Sequence, residues 1–255
     1  MLSRRQIERV SRTLTDGNAG HAEKLYLQDV ILSTVGRETV DELVFKGGTA
    51  LLKFYQLDRF SEDLDFTLRE ELDLDELVRK VVRDLENYGA TVEDRDVEEG
   101  RTTFKTRLGI QGPLYTGERR SLCFVRVEVN KKSSVDGSQN LRYTPKFKDI
   151  TGFELSVLSQ EEILAEKIRA MVIREEPRDL YDIYHLLENG VGIDPELVQE
   201  KLDYYDEEYK AERVMEEAGK VEKNWDSLET LVFSALPEFD RAVEVLEESL
   251  PGEKS

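Results

Sequence analysis

The 255-residue chain is short of several things, and each shortage closes off a class of protein. With one cysteine, Cys123, it has no internal disulfide, so a reducing, cytoplasmic setting is expected. Two histidines, His21 and His185, are too few for an imidazole-rich zinc site, and Cys123 has no partner at metal-ligand spacing. No apolar run reaches transmembrane length, which predicts no membrane contact. The opening residues, MLSRRQIERVSRT, lack the apolar stretch of a secretory signal. Only 6 prolines and 16 glycines interrupt regular apolar patterns, which excludes a disordered acidic tail.

Positive charge is also scarce. Lys and Arg number 36 against 55 Asp and Glu, a net −19 that by itself argues against a nucleic-acid partner. The distribution says otherwise. Residues 101–148 hold eleven basic side chains (Arg101, Lys105, Arg107, Arg119, Arg120, Arg126, Lys131, Lys132, Arg142, Lys146 and Lys148). The acids there are Glu118, Glu128 and Asp136, so the segment carries +8 and the rest of the chain −27. A basic island in an acidic chain is a candidate polyanion surface. Charges alternating out of a half-exposed sheet explain it equally well.

Helical periodicity is expected over residues 7–14, 22–35 and 74–88, and strands over 42–45, 64–68, 101–110, 122–130 and 153–158. Beyond Ser159 every pattern is helical: 160–174, 180–188, 195–201, 204–220, 227–235 and 239–250. This order predicts an α/β (α+β) core with N-terminal helices over residues 1–158 and a helical domain over 159–255, ending in a frayed PGEKS tail.

The stretch Phe45-Lys46-Gly47-Gly48-Thr49 ends a strand and opens a helix. Gly-Gly allows a tight turn and close approach of a ligand, Thr49 can cap the helix, and a helix N-terminus suits phosphate. A plain strand-to-helix turn would look the same. Asp63 and Asp65 are two apart on an expected strand and share a face, opposite Leu64 and Phe66. Paired carboxylates repel unless a cation lies between them, and hard ions such as Mg²⁺ take oxygen ligands. Two solvent-facing charges are the alternative. In Val125-Arg126-Val127-Glu128-Val129-Asn130 the valines face one way and Glu128 the other. If this strand lies beside 64–68, Glu128 completes a three-carboxylate set suited to two-metal phosphoryl transfer; otherwise it pairs with a basic neighbour across strands.

Gly-Gly-Thr, a short helix and Arg59-x-Ser61-x-Asp63-Leu64-Asp65-Phe66 together resemble the polymerase-β-like nucleotidyltransferases, and more narrowly the AbiEii/AbiGii toxins of abortive-infection and toxin–antitoxin systems. A second stretch is similar to that family's C-terminal motif: Glu162-Ile163-Leu164-Ala165-Glu166-Lys167-Ile168-Arg169-Ala170, Arg174, and Arg178-Asp179-Leu180-Tyr181-Asp182. The resemblance runs from about residue 43 to 187 and implies a mixed-sheet transferase core followed by helices.

The resemblance implies roles residue by residue. Gly47, Gly48, Thr49 and Ser61 would hold the NTP, and Asp63, Asp65 and Glu128 would be catalytic metal ligands for Mg²⁺, with Mn²⁺ as the other acceptable ion. Lys167 would contact nucleotide phosphate or transition-state charge, and Asp179 and Asp182 would orient it and line the nucleotide site. From the residues alone, Lys167 borders an apolar stripe and would snorkel to solvent, and Asp179 with Asp182 would form a surface pair with Arg178 or Arg174. The resemblance implies transfer of a nucleoside monophosphate to RNA, the tRNA 3′ end being the favoured acceptor, and a cognate antitoxin. Two other functions fit the same residues: nucleotidylation of a protein hydroxyl, and a non-catalytic nucleotide- or RNA-binding regulator.

Overall fold

The computed structural model describes residues 1–132 and 137–251. Asp136 of the basic segment and residues 252–255 of the expected tail lie outside the described residues. The chain divides into two compact units: Met1–Gln56 with Phe60–Leu158, and Leu57–Arg59 with Ser159–Ser255.

The first unit starts with α1 (Arg4–Leu14) and α2 (Ala19–Glu38). Asn18 caps α2 by accepting from the His21 N–H, and α2 is buried on nearly all sides, so its sequence carries little amphipathic signal. There follow β1 (Leu43–Lys46), α3 (Gly47–Phe54), β2 (Leu64–Leu68) and α4 (Leu74–Asn87), the last capped by Asp73 on the Glu76 N–H. The rest is β3 (Thr91–Glu99), β4 (Thr103–Gln111), β5 (Cys123–Asn130), β6 (Ser138–Tyr143) and β7 (Phe153–Leu158).

The seven strands form one mixed sheet in the order β3-β4-β5-β2-β1-β7-β6. The β2–β5 and β1–β7 pairs are parallel and the others antiparallel. Leu64, Phe66, Val125 and Val129 point to one face and are at most 1% exposed. The α2 helix packs against β5 and β7. On the other face the alternate residues of β2 and β5 are polar apart from Phe124.

Two strands carry no sequence signal. Of the residues Thr91–Glu99, five are acids, only Val92 and Val97 are apolar, and all are at least partly exposed. The strand forms because β4 offers a row of backbone partners, and its charges protect the sheet edge from further pairing. At the opposite edge, polar β6 pairs with β7.

In the second unit, α5 (Gln160–Ile173) is capped by Ser159, and α6 (Pro177–Glu188) starts on a proline that suits a first helical position. These are followed by α7 (Pro195–Asp203), α8 (Ala211–Lys220) and α9 (Phe239–Ser249). Two expected helices are corrected. The run 204–220 is helical only from Ala211. Asp206 takes a left-handed φ of 55°, and the Gln199 side chain captures the Tyr209 N–H (2.8 Å) and the Glu207 carbonyl (3.0 Å). The run 227–235 holds only the end of a 3₁₀ helix, Glu222–Thr230. Beyond it Val232 bridges to Arg59, and the Phe233 N–H donates to the Asp58 carbonyl at 3.1 Å. Those extended contacts explain why Leu57–Arg59 belong to this unit.

No helix among the described residues is long and apolar enough to cross a membrane. Cys123 is buried, and desolvation together with the charge of Glu23 pushes its thiol up to about 12, so it is no nucleophile at neutral pH.

Candidate active site

Lys46 ends β1 and, at the same time, precedes the first turn of α3, with no loop between. That junction requires φ = +76° at Gly47. It also requires the missing side chain, because a Cβ there would lie 2.6 Å from Asp65 Oδ2. The expected helix start at Thr49 is thus moved back to Gly47, and both glycines are inside the first turn. Gly47→Ala is expected to cost about 1–2 kcal/mol from the left-handed backbone alone, read as a lower urea midpoint, with a further loss of transfer activity as Asp65 is displaced.

Thr49 is not the cap. It is fully buried, and its hydroxyl donates to the Asp63 carbonyl (2.5 Å) and exchanges a hydrogen bond with Ser61 Oγ (2.9 Å). Its side chain therefore ties the glycine-bearing helix to the segment that delivers Asp63. Gln28 on α2 supports the same segment by donating to the carbonyls of Ser61 and Glu62, both at 3.0 Å. At the far end of α3, Lys53 forms a buried ion pair with Asp29 of α2 at 2.5 Å.

The register sets the carboxylates. Asp65 lies opposite Lys46 on β1 and opposite Glu128 on parallel β5. Glu128 in turn lies opposite Lys105, and Lys105 opposite Glu98. Across the same face, Arg126 lies opposite Arg107, and Arg107 opposite Asp96. Arg126 reaches Asp63 at 3.4 Å, and Lys105 holds Glu128 at 3.0 Å. Three carboxylates are the donor chemistry that a hard divalent ion takes. Among the described residues, however, no three acidic, His or Cys side chains are drawn together tightly enough to hold one. Glu128 has the basic cross-strand partner that its sequence position also allowed.

The second unit contains a separate ion network. Lys167 on α5 does not snorkel: its side chain is 10% exposed, with Nζ 3.0 Å from Asp179 and 2.7 Å from Asp182. Both aspartates, one turn apart on α6, are fully buried rather than a surface pair. Asp182 also receives Arg59 in a bidentate pair, Nε and Nη2 each at 2.7 Å. Arg174 Nε donates to Asp179 at 2.8 Å, while Arg178 turns to Glu176. Arg59, Lys167 and Arg174 thus share the two buried carboxylates.

Burial alone would raise both acids, but the charges of Lys167 and Arg174 on Asp179, and of Arg59 and Lys167 on Asp182, hold them below the ordinary carboxylate range. Burial would lower Lys167, but Asp182 and Asp179 keep it raised. The acids' stabilisation is therefore present above their ordinary value of 3.8 and is lost as pH falls through the depressed folded values. The lysine's share persists until pH rises past its own raised value. Urea midpoints of the wild type are expected to be insensitive to these groups near neutrality and to drop below about pH 4, and this acid-side drop should be shallower in Asp182→Asn.

Sequence reasoning gave Arg59 no role of its own. Its only signal is its place at the head of the Arg-x-Ser-x-Asp motif; its partner is 123 residues away.

The chain belongs to the AbiEii nucleotidyltransferase toxin family of type IV toxin–antitoxin systems, whose family model matches residues 31–245. It is thus a transferase of the toxin kind. Its fold is similar to that of MenT4, a nucleotidyltransferase toxin from Mycobacterium tuberculosis H37Rv, with TM-score 0.63, 20% identity, and coverage of 99% of this chain and 92% of that one. It is also similar to JHP933 from Helicobacter pylori, with TM-score 0.58, 19% identity and coverage of 90% and 89%. No curated protein sequence matches the chain.

Proposed function

We propose that this toxin transfers a nucleoside monophosphate from an NTP to the 3′ hydroxyl of an RNA, with tRNA as the favoured acceptor, in a Mg²⁺-dependent reaction that Mn²⁺ also supports. The observation that carries the proposal is the register of Asp65 with Glu128, with Asp63 two residues before and the glycine turn directly against the Asp65 carboxylate. Asp63, Asp65 and Glu128 would hold the metal, which supplies charge neutralisation on the transferring phosphate. Gly47 and Gly48 would offer backbone N–H groups at the start of α3 to the triphosphate. Thr49 would act through the helix it anchors, and Ser61, its hydroxyl partner, from the segment that precedes β2. Lys167 would meet phosphate charge, with Asp179 and Asp182 fixing its ammonium. Catalysis would be positioning plus electrostatic stabilisation. A cognate antitoxin would restrain the activity within an abortive-infection or related toxin–antitoxin pair.

Incubating purified protein with labelled NTP and cell lysate, then treating with RNase or protease, tests the acceptor. Label lost to RNase supports RNA. Label that survives RNase and is lost to protease overturns it in favour of protein nucleotidylation. Failure to bind Mg²⁺–NTP in calorimetry overturns the enzymatic role in favour of a binding regulator.

The basic island needs adjustment as an RNA surface. Lys131 pairs with Glu99 at 2.6 Å, and Arg119 with Asp94 at 2.8 Å, so part of the island neutralises the acidic β3 edge. RNA affinity should fall with salt, and charge reversal at exposed Lys132 should lower the log–log slope by about one unit, whereas reversal at Lys131 should also disturb the sheet edge. Titrations at several salt concentrations check both.

A further inference from the structure

The face that carries Glu128 also presents an aromatic ring, Phe124, which the site described above does not use. On β5, Phe124, Arg126 and Glu128 alternate onto one face, and Phe124 lies opposite Gly109 of β4. A Cβ at residue 109 would come within 2.9 Å of both the Phe124 ring and the Asp94 Cβ of β3, so the absence of a side chain there lets the ring and Asp94 share the space over β4. Arg107, two residues earlier, puts its guanidinium carbon 3.8 Å from the ring centroid. At that distance it sits over the face of the ring, not at its edge. The ring is half-buried and Arg107 is exposed. The layers are therefore β4 backbone, aromatic ring and planar cation, with the cation outermost. Beside this stack Arg126 is 53% exposed and adjoins Asp63.

We infer that the Phe124–Arg107 stack, with Arg126 beside it, is the seat of a single-stranded RNA 3′ end, a base stacking on the layered platform and the following phosphate on Arg126. The inference rests on the RNA-acceptor proposal and adds the strand's path and form. A guanidinium plane backed by an aromatic ring is a stacking surface for an unpaired base, and it cannot engage a base still inside a helix. Along β5, Phe124 lies about 13 Å from Glu128, so the strand's last bases cover the distance to the carboxylates. The acids of β3 set the other boundary: Asp96 beside Arg107 and Glu98 beside Lys105 repel phosphates from that edge. The strand is thus directed along β4 and β5 towards Asp63.

The experiment measures anisotropy of a labelled hairpin RNA with a single-stranded 3′ overhang, against the same hairpin with a blunt end. The protein is the full chain, with NTP binding followed in parallel by calorimetry. Wild type should prefer the overhang. Arg107→Ala and Phe124→Leu should each weaken overhang binding about tenfold, the loss expected for one stacked base, and leave NTP binding unchanged. Arg107→Lys should not rescue, because an ammonium keeps the charge without the plane. Overhang affinity unchanged in Phe124→Leu, or full rescue by Arg107→Lys, would overturn the stack while leaving the RNA-acceptor proposal standing. Equal loss of NTP binding in the variants would also overturn it, since the nucleotide site would then be what they disturb. If wild type binds neither RNA and labels protein instead, the acceptor proposal fails and takes the platform with it.

Discussion

Asp65→Asn is expected to abolish transfer of label from NTP, a fall on the order of 10³-fold or more if metal-borne charge stabilisation worth several kcal/mol is lost. The substitution is nearly isosteric and the position is part-exposed on the polar face of the sheet, so circular dichroism should not change. The local geometry explains why this carboxylate should matter most. It lies in register between Lys46 and Glu128, and the glycine at 47 is there because nothing larger fits against it. Asp63→Asn should have a similar effect, since its backbone carbonyl, and not its carboxylate, is what Thr49 holds. Full residual transfer by either variant would remove these residues from the metal site.

Asp182→Ala is expected to give the largest loss of stability, about 3–5 kcal/mol, because it removes the buried carboxylate that Arg59 and Lys167 share. Arg59 is 3% exposed and meets both Asp182 oxygens, and Lys167 would retain only Asp179. Urea unfolding followed by Trp225 fluorescence, buried in the same unit, reads the change directly. Converting the network to apolar groups of similar size should recover much of the stability, since a well-packed hydrophobic replacement of a buried ion network is often neutral. Transfer activity should not return with it if Lys167 also meets phosphate. A variant that is stable and fully active would confine Lys167 to a structural role.

Much of this site is written in local pattern. Period-2 alternation put Asp65 on the polar side of its strand, and Arg126 and Glu128 on the polar side of theirs, before any strand was paired, whereas Asp63 lies just before β2 and not on it. The Gly-Gly pair marked the turn, and the spacing of Gly-Gly-Thr, Arg-x-Ser-x-Asp-Leu-Asp and the Lys167 helix was specific enough to point to the family. The basic island was legible too, but its meaning was not. Counted alone, residues 101–148 carry +8. In the sheet the β4 part of this segment pairs with β3, which has five acids to one base, and Arg119 and Lys131 are ion-paired to β3 acids.

What the sequence determined by itself was the kind of element at most positions, the side of it on which each charged group falls, and the family. These follow from short-range sterics and periodicity, which act within a few residues. Tertiary structure alone decided which charges meet. Strand order brought Glu128 into register with Asp65 and Lys105 on Glu128. Backbone pairing made strands of β3 and β6, whose own residues bury too little to signal them. A return of the chain 123 residues later gave Arg59 its partner in Asp182. Pairing energies depend on distance and burial, and neither is defined until the chain has closed on itself.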